Sequence, residues 1–351
     1  MKNTENQITI KDVAAACGVS IATVSLALRN HPRISSETKK IVHDTTEQLG
    51  YRRNPLVSAL MSNVSRSSKI HFPIPLAAIY NGVREQVESS AYHRRLWDGI
   101  VQRAKETGFS VEPFFLRDKK VASSRRLSEI LYARNITGVL IPPLAFGGGH
   151  LSLDWEKISA LAIGHSMLKP TLHRVCPDQY QGIRMALHHI RRKGYLRPGL
   201  IIAGHGSART LRRWSSGFYG QEYAQKKRGI IPVLECGEVD LKQLLVWYKK
   251  YKPDIIISSG IDRLVWKALQ QTEIRIPEET AFVTLSRSGA ESLVAGVNEN
   301  ENLVGRAAVD QLARLLYNNE RGIPKHPTVT QIAPAWEDGA TCPCKKTGTK
   351  N

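Results

Sequence analysis

Thr9-Ile10-Lys11-Asp12-Val13-Ala14-Ala15-Ala16-Cys17-Gly18-Val19-Ser20-Ile21-Ala22-Thr23-Val24-Ser25-Leu26-Ala27-Leu28 is the stretch on which the reading of this chain turns. Thr9 and Asp12, three positions apart, have the form of a capping box, in which an N-cap side chain and a carboxylate one turn on satisfy backbone amides. Ile10, Val13, Ala14 and Cys17 then recur at helical spacing and mark one inward face. Gly18 can take the left-handed conformation that ends a helix, and Ser20 is an N-cap residue for the next. The second helix, about Ile21 to Leu28, turns Val24, Ala27 and Leu28 inward. A third starts near Ser35, sets Thr38, Ile41, Val42, Thr45 and Leu49 along one side, and stops at Gly50. Small residues at Ala14, Ala15 and Ala16 let the helices approach. Two short helices joined by a Gly-containing turn form the helix-turn-helix that DNA-binding proteins lay in the major groove. Any small three-helix bundle would show the same periodicity, and Ile21, Ala22, Ser25 and Leu26 on the outward face are not strongly basic.

At 351 residues the chain is longer than one usual domain, and its 42% hydrophobic content suits globular units. It contains no run of eighteen apolar residues and no signal-peptide core, so a cytoplasmic location without a membrane span is expected. Five scattered cysteines, Cys17, Cys176, Cys236, Cys342 and Cys344, fit a reducing compartment better than a disulfide framework. The net charge of +19 raises the prospect of a polyanionic partner. That charge is not confined to one end: residues 1–70 hold ten Lys/Arg against five Asp/Glu, and the remainder holds 40 against 26.

The string from Ile8 to Leu56 closely resembles the headpiece of the lactose-repressor (LacI/GalR) family. The matching elements are T-I-K-D-V-A, G-V-S-x-x-T-V-S, the N-H-P-R-I-S turn and the L-G-Y-R-x-N-P exit. The resemblance implies a small all-α helix-turn-helix headpiece over 8–53, with Ile21, Ala22, Ser25 and Leu26 facing base edges. Ile10 and Arg33 fall where the family makes supporting base contacts. Thr9, Ser20, Thr23, Arg29, Ser35, Thr38, Tyr51 and Asn54 fall at backbone-contacting positions, where short polar groups fix register on phosphates. Many relatives carry Arg at the position of Leu26, and a leucine offers only apolar contact there, for example to a thymine methyl.

Residues 54–71 read as a hinge helix and polar linker, with Asn54 as N-cap and Pro55 at the first helical position. A helix of about two turns is not stable alone in water. By resemblance it folds against its dimer mate on DNA and wedges Leu60 into the minor groove. Val57-Ser58 stands where the family often has Ala-Arg.

From 72 to 336 short apolar runs alternate with amphipathic helices, the pattern of parallel sheets covered by helices. Strands are expected at Leu76–Tyr80, Val111–Leu116, Gly138–Ile141, Ala160–Ile163, Gly199–Ala203, Ile230–Leu234, Asp254–Ser258 and Ala281–Leu285, with helices such as His93–Thr107 and Gln179–Lys193 between them. Strings such as W-D-G-I-x-x-x-A-K-E-T-G-F and I-T-G-V-L-I-P-P resemble the family's two-lobed, periplasmic-binding-protein-like effector and dimerisation domain. The resemblance implies three crossings between lobes, near Cys176, Glu299 and Thr328, and a sugar-like small-molecule effector in the cleft. Asp178, Arg212 and Asp262 lie near effector-contacting positions, although both aspartates would equally cap the helices that follow them. Thr284-Leu285-Ser286-Arg287 replaces a string in which relatives carry an acid, so Arg287 opens the way to an anionic effector.

Gly147-Gly148-Gly149 and Gly204-His205-Gly206 lack a phosphate-binding fingerprint and read as loops. Cys342-Pro343-Cys344 lies in a Lys-rich tail, 337–351, expected to be disordered rather than metal-binding. No catalytic constellation, cofactor site or metal site can be assigned. The expectation is a homodimeric, non-enzymatic regulator, a repressor by family habit, on a pseudo-palindromic double-stranded operator. The competing reading is an effector-independent architectural protein that kinks DNA through its hinge helix. Site selection from random DNA is expected to return half-sites in which no invariant guanine is contacted at the position of Leu26; finding that guanine would contradict the reading of this residue.

Overall fold

The structure, a computed structural model, describes residues 8–28, 31, 33–51, 73–117, 123–144, 149–204, 210–224, 229–237, 240–260, 262–287 and 293–345. The expectations placed on Arg29, on Asn54 and the hinge helix, and on Leu60 lie outside the described residues. The chain divides into two compact units, a helical headpiece within residues 1–72 and an α/β unit that starts at Pro73.

The headpiece consists of α1 (Ile10–Cys17), α2 (Ile21–Ala27) and α3 (Ser36–Gln48). Its core follows the expected periodicity: Val13, Ala14, Val24, Ala27 and Val42 are buried, with Ile10, Cys17, Leu28 and Leu49 packed around them, and Tyr51, outside that periodic set, packs there too. The amide and hydroxyl of Thr9 both donate to Asp12 Oδ2 at 2.7 Å. These bonds, the hydroxyl's first, hold the Asp12 carboxyl below its ordinary pKa. Gly18 closes α1 at φ +64°, and the axes of α1 and α2 turn by 97° across this break. The close approach rests on Ala14, because Ala15 and Ala16 are exposed. Ile41, expected on the inner side of α3, is 49% exposed.

Among the described residues the α/β unit carries two six-stranded sheets and a separate two-stranded pair formed by Gly149–His150 and Met167–Lys169. The strands are β1 (Ile74–Tyr80), β2 (Phe109–Phe115), β3 (Gly138–Ile141), β4 (Gly149–His150), β5 (Ser159–Ile163), β6 (Met167–Lys169), β7 (Arg174–Pro177), β8 (Pro198–Ala203), β9 (Leu234–Cys236), β10 (Ile255–Ser259), β11 (Ala281–Thr284), β12 (Ala295–Asn298), β13 (Val329–Ile332) and β14 (Ala335–Glu337). The first sheet runs β13-β7-β5-β3-β1-β2 and is parallel throughout. The second runs β14-β12-β11-β10-β8-β9, with only β14 antiparallel. Continuous burial along β3, β5, β8, β10 and β11 is what helices on both faces of a parallel sheet impose.

The helices of this unit are α4 (Arg84–Ser89), α5 (Ala91–Glu106), α6 (Ser124–Ala133), α7 (Gln179–Arg192), α8 (Arg213–Ala224), α9 (Leu241–Tyr251), α10 (Asp262–Gln270) and α11 (Glu301–Tyr317). Three crossings join the lobes. After β7 the chain enters α7, whose Ile183, Ala186, Leu187 and Ile190 sit in the second lobe's core. After β12 it enters α11, which returns to the first lobe. There Arg103 meets Asp310 at 2.7 Å and Arg306 meets Glu106 at 2.8 Å. Between Arg306 and Arg103 the Glu106 carboxyl is pulled down to about 2. The third crossing falls between Ile332 and Ala335, later than the expected Thr328, because Val329–Ile332 still pairs with β7.

Two expectations are corrected. The strand expected at Ile230–Leu234 forms at Leu234–Cys236, in register with Ile201–Ala203. The tail expected to be disordered is, over its described residues 337–345, part of the second lobe. Thr341 donates its amide to Leu293 O, accepts from Phe282 N, and uses its hydroxyl to bridge Phe282 O at 2.7 Å and Ala295 N at 3.0 Å. Cys342 is fully buried in the core, Tyr195 donates to Pro343 O, and Lys345 reaches Asp254 at 2.7 Å. Backbone pairing holds a segment whose side chains look like those of a solvated tail. Replacing Thr341 with Val (Thr341→Val) strips both buried groups of their partner. It is expected to cost roughly 1–3 kcal/mol, read as a lower urea midpoint with unchanged slope.

Candidate DNA interface and ligand cleft

The outward face of α2 is built by the same turn that buries Val24 and Ala27. Ile21 is 44% exposed and Ala22 is exposed beside it, while Ser25 and Leu26 are half-buried. Arg33 is exposed; Ile10 is half-buried against the headpiece core, so much of its side chain is already taken up in packing. Ser20 Oγ accepts from Thr23 N at 3.1 Å and shares a 2.9 Å hydroxyl bond with Thr23. Ser35 and Thr38 repeat the arrangement at 3.1 and 2.8 Å. Four positions expected at phosphates therefore form two pre-oriented hydroxyl pairs that also cap α2 and α3. Tyr51 is half-buried against the same core.

In the α/β unit a cleft of about 400 Å³ opens between the lobes, past the carboxyl ends of both sets of strands. The first lobe supplies Tyr92 and His93 from α5, Pro143 beyond β3, and His165 and Ser166 beyond β5. The second supplies Trp214 from α8, Ser259 and Arg263 around the end of β10, and Ser286 beyond β11. Gln179 and Glu299, at two of the crossings, complete the wall.

Several of these groups are fixed from behind. Arg174, buried, donates to Gly164 O at 3.2 Å and Met167 O at 3.4 Å and so brackets the His165-Ser166 turn. Ser166 Oγ accepts from Leu144 N at 2.8 Å, joining the loops after β3 and β5. Trp214 enters the cleft because α8 lies close on α7, and a Cβ at Gly182 would meet its ring at 2.9 Å. Glu299 accepts from Gln179 Nε2 at 3.3 Å and from Ser286 Oγ at 3.0 Å. Arg95, on α5, spans the lobes: it pairs with Glu301 at 3.3 Å and donates to Arg287 O at 3.0 Å. His165 is only 5% exposed, and burial together with Arg213 and Arg174 pushes its pKa down to about 4.

Three of the residues expected at the effector, Asp178, Arg212 and Arg287, are placed elsewhere. Asp178 caps α7 by accepting from Gln181 N at 3.0 Å, the capping role weighed for it in the sequence. Arg212 is 67% exposed and pairs with Glu235. Arg287 turns to Glu337 at 2.5 Å, while its amide donates to Val297 O. Asp262 begins α10. Asp178, Arg212 and Arg287 do not line the cleft among the described residues. Sequence reasoning missed His165, Ser259 and Ser286, although each lies just beyond the carboxyl end of an expected strand, where α/β ligands bind. Trp214 and Glu299 carry no comparable local signal.

Residues 9–54 match the sequence model of the family described as bacterial regulatory proteins, lacI family. The HTH-type transcriptional regulator GalS of Salmonella typhimurium is 25% identical over 245 residues, 68% of this chain and 68% of GalS. The headpiece is a domain of the lacI family of bacterial regulatory proteins. The chain is a DNA-binding transcriptional regulator. Solved structures share the family fold along nearly the whole chain. The CelR–cellobiose complex superposes with a TM-score of 0.59 at 17% identity, covering 95% of this chain and 99% of that one. The lac repressor dimer bound to operator and the anti-inducer ONPF gives 0.57 at 16% identity, covering 96% and 100%.

His165 gives the stability of the fold a pH response. Its folded pKa lies below the ordinary value of 6.5, so the unfolded chain takes up the proton first. The stabilisation is complete above about 6.5 and is lost as pH falls towards 4. Urea midpoints of the parent protein should therefore fall more between these limits than those of His165→Asn; parallel pH profiles would remove His165 from this role.

Proposed function

We propose that the protein is a repressor that binds a pseudo-palindromic operator as a homodimer and responds to a small polyhydroxylated molecule held between its lobes. The observation that carries this reading is the composition of the cleft wall. Both lobes and two of the crossings contribute side chains, so an occupant interacts with the lobe arrangement itself. A ligand shifts DNA affinity only by its different affinity for two states of the protein. A wall assembled from two lobes provides that difference whenever their arrangement differs between the two states. The Arg95 bonds to Glu301 and Arg287 O would form or break with the same change.

At the DNA, Ile21, Ala22, Ser25 and Leu26 face base edges with Arg33 and Ile10 in support, and the hydroxyl pairs Ser20–Thr23 and Ser35–Thr38 meet phosphates. Thr9, Arg29, Tyr51 and Asn54 add backbone contacts, and Leu60 acts as the minor-groove wedge in a hinge that spans 54–71. The operator-bound dimer of the lac repressor and the cellobiose complex of CelR support the two halves of this mechanism by likeness of fold. Cytoplasmic action follows from a chromosomal target.

Random-site selection with the purified protein, repeated with a panel of sugars and related metabolites, tests the proposal. It should return paired half-sites related by a two-fold axis. Binding should weaken steeply between about 50 and 200 mM salt, as counterion release requires. An effector should raise the melting temperature and change operator affinity together. Isolated half-sites, a flat salt response, or operator affinity indifferent to every ligand that raises the melting temperature would each count against it, the last in favour of an architectural role.

A further inference from the structure

We propose that the cleft takes a sugar bearing one anionic group, paired with Arg263 while its hydroxyls satisfy Gln179 and His165. The inference rests on the cleft being the effector site and concerns which class of effector it selects.

The charges in the cleft are unevenly committed. Glu299 is 6% exposed, and its two oxygens already accept from Gln179 Nε2 and Ser286 Oγ. Arg263 also lines the cleft and is exposed, yet among the described residues it has no ion-pair or hydrogen-bond partner. It is the second residue of α10, a nine-residue helix that starts just past the carboxyl end of β10. The positive end of that helix therefore adds to the guanidinium at the same place. A guanidinium fork matches the paired oxygens of a carboxylate or phosphate.

A second observation points to the rest of the ligand. Gln179 and His165 are each 5% exposed and line the cleft, and Gln179 Oε1 and His165 Nε2 have no hydrogen-bond partner. Gln179 Oε1 is an acceptor only, so it calls for a hydroxyl or N–H donor. His165, kept neutral by burial, offers one donor or one acceptor and no charge. Tyr92 and Trp214 supply aromatic walls, and about 400 Å³ is the scale of small-molecule sites. A neutral sugar leaves Arg263 unpaired, and a simple anion leaves Gln179 and His165 unsatisfied. A sugar acid or a sugar phosphate answers all three.

Titration calorimetry on the full-length protein with D-gluconate, D-glucuronate, glucose 6-phosphate and D-glucose tests this. At least one anionic ligand should bind about tenfold or more tightly than glucose, and the carboxylate and phosphate arms identify which anion is preferred. Arg263→Gln should erase that preference, Arg263→Lys should keep part of it, and Trp214→Ala should weaken binding by every ligand. Glucose binding as well as the anions, or a preference that survives Arg263→Gln, overturns the anionic assignment and leaves the cleft reading standing. Binding indifferent to Trp214→Ala puts the ligand outside the cleft and overturns both. No binding by any of the four at about 10 mM overturns the sugar-anion class.

Discussion

A buried hydrogen bond, Gln179 Nε2 to Glu299 Oε1, fastens the first interlobe crossing to the second. Glu299 is a carboxylate withdrawn from water, and such a group is tolerated only where its lone pairs are occupied. Ser286 fills the second oxygen and thereby ties the wall of the second lobe to the same point. Two residues further on, Glu301 takes Arg95, whose other nitrogen holds the carbonyl of Arg287, the neighbour of Ser286. First-lobe helix, second-lobe loop and both crossings thus meet around two acidic side chains. Any rearrangement of the lobes has to exchange partners here, and each hydrogen bond to a charged group is worth roughly 1.5–3 kcal/mol.

The location of the cleft follows from the topology around that knot. Parallel strands deliver the carboxyl ends of β3, β5 and β7 on one side and β8, β10 and β11 on the other. The loops leaving those ends can vary without disturbing a buried sheet. The cleft is accordingly lined by residues at or just beyond strand ends, such as His165, Ser259 and Ser286, while the strands behind them carry mostly aliphatic side chains. In the headpiece the division is similar. Val13, Val24 and Val42 hold three helices together, and the capping pairs at Ser20 and Ser35 both start helices and present hydroxyls outward.

Much of this was legible in the chain, and the exceptions have physical causes. Gly138–Ile141 and Ile255–Ser259 announce themselves as short apolar runs because both faces of a parallel strand are covered. Val329–Ile332 does not, because it lies at a sheet edge and alternates between exposed and half-buried positions. Ala295–Asn298 is too small and too brief to signal a strand, and its Gly296 lies so close to Thr284 that a Cβ would overlap it. The tail around Thr341 was invisible because its hold on the lobe is mostly backbone pairing, which leaves no trace in residue type. At the cleft, position along the family pattern pointed to Asp178, Arg212 and Arg287. Each was claimed by a nearer partner: a helix amide, Glu235 and Glu337 respectively. Side-chain destinations depend on such competition, which periodicity does not record.

The late position of β13 and β14 also governs how the molecule is made. The headpiece is contiguous, and its three helices are complete once Tyr51 has been synthesised. Neither sheet is complete before residues 329–337 exist, since β13 covers the edge at β7 and β14 covers the edge at β12. During synthesis at about 5–20 residues per second, both sheets present unpaired edges that other chains can join. A ribosome-bound chain would therefore carry a complete headpiece ahead of two sheets that each still lack a strand.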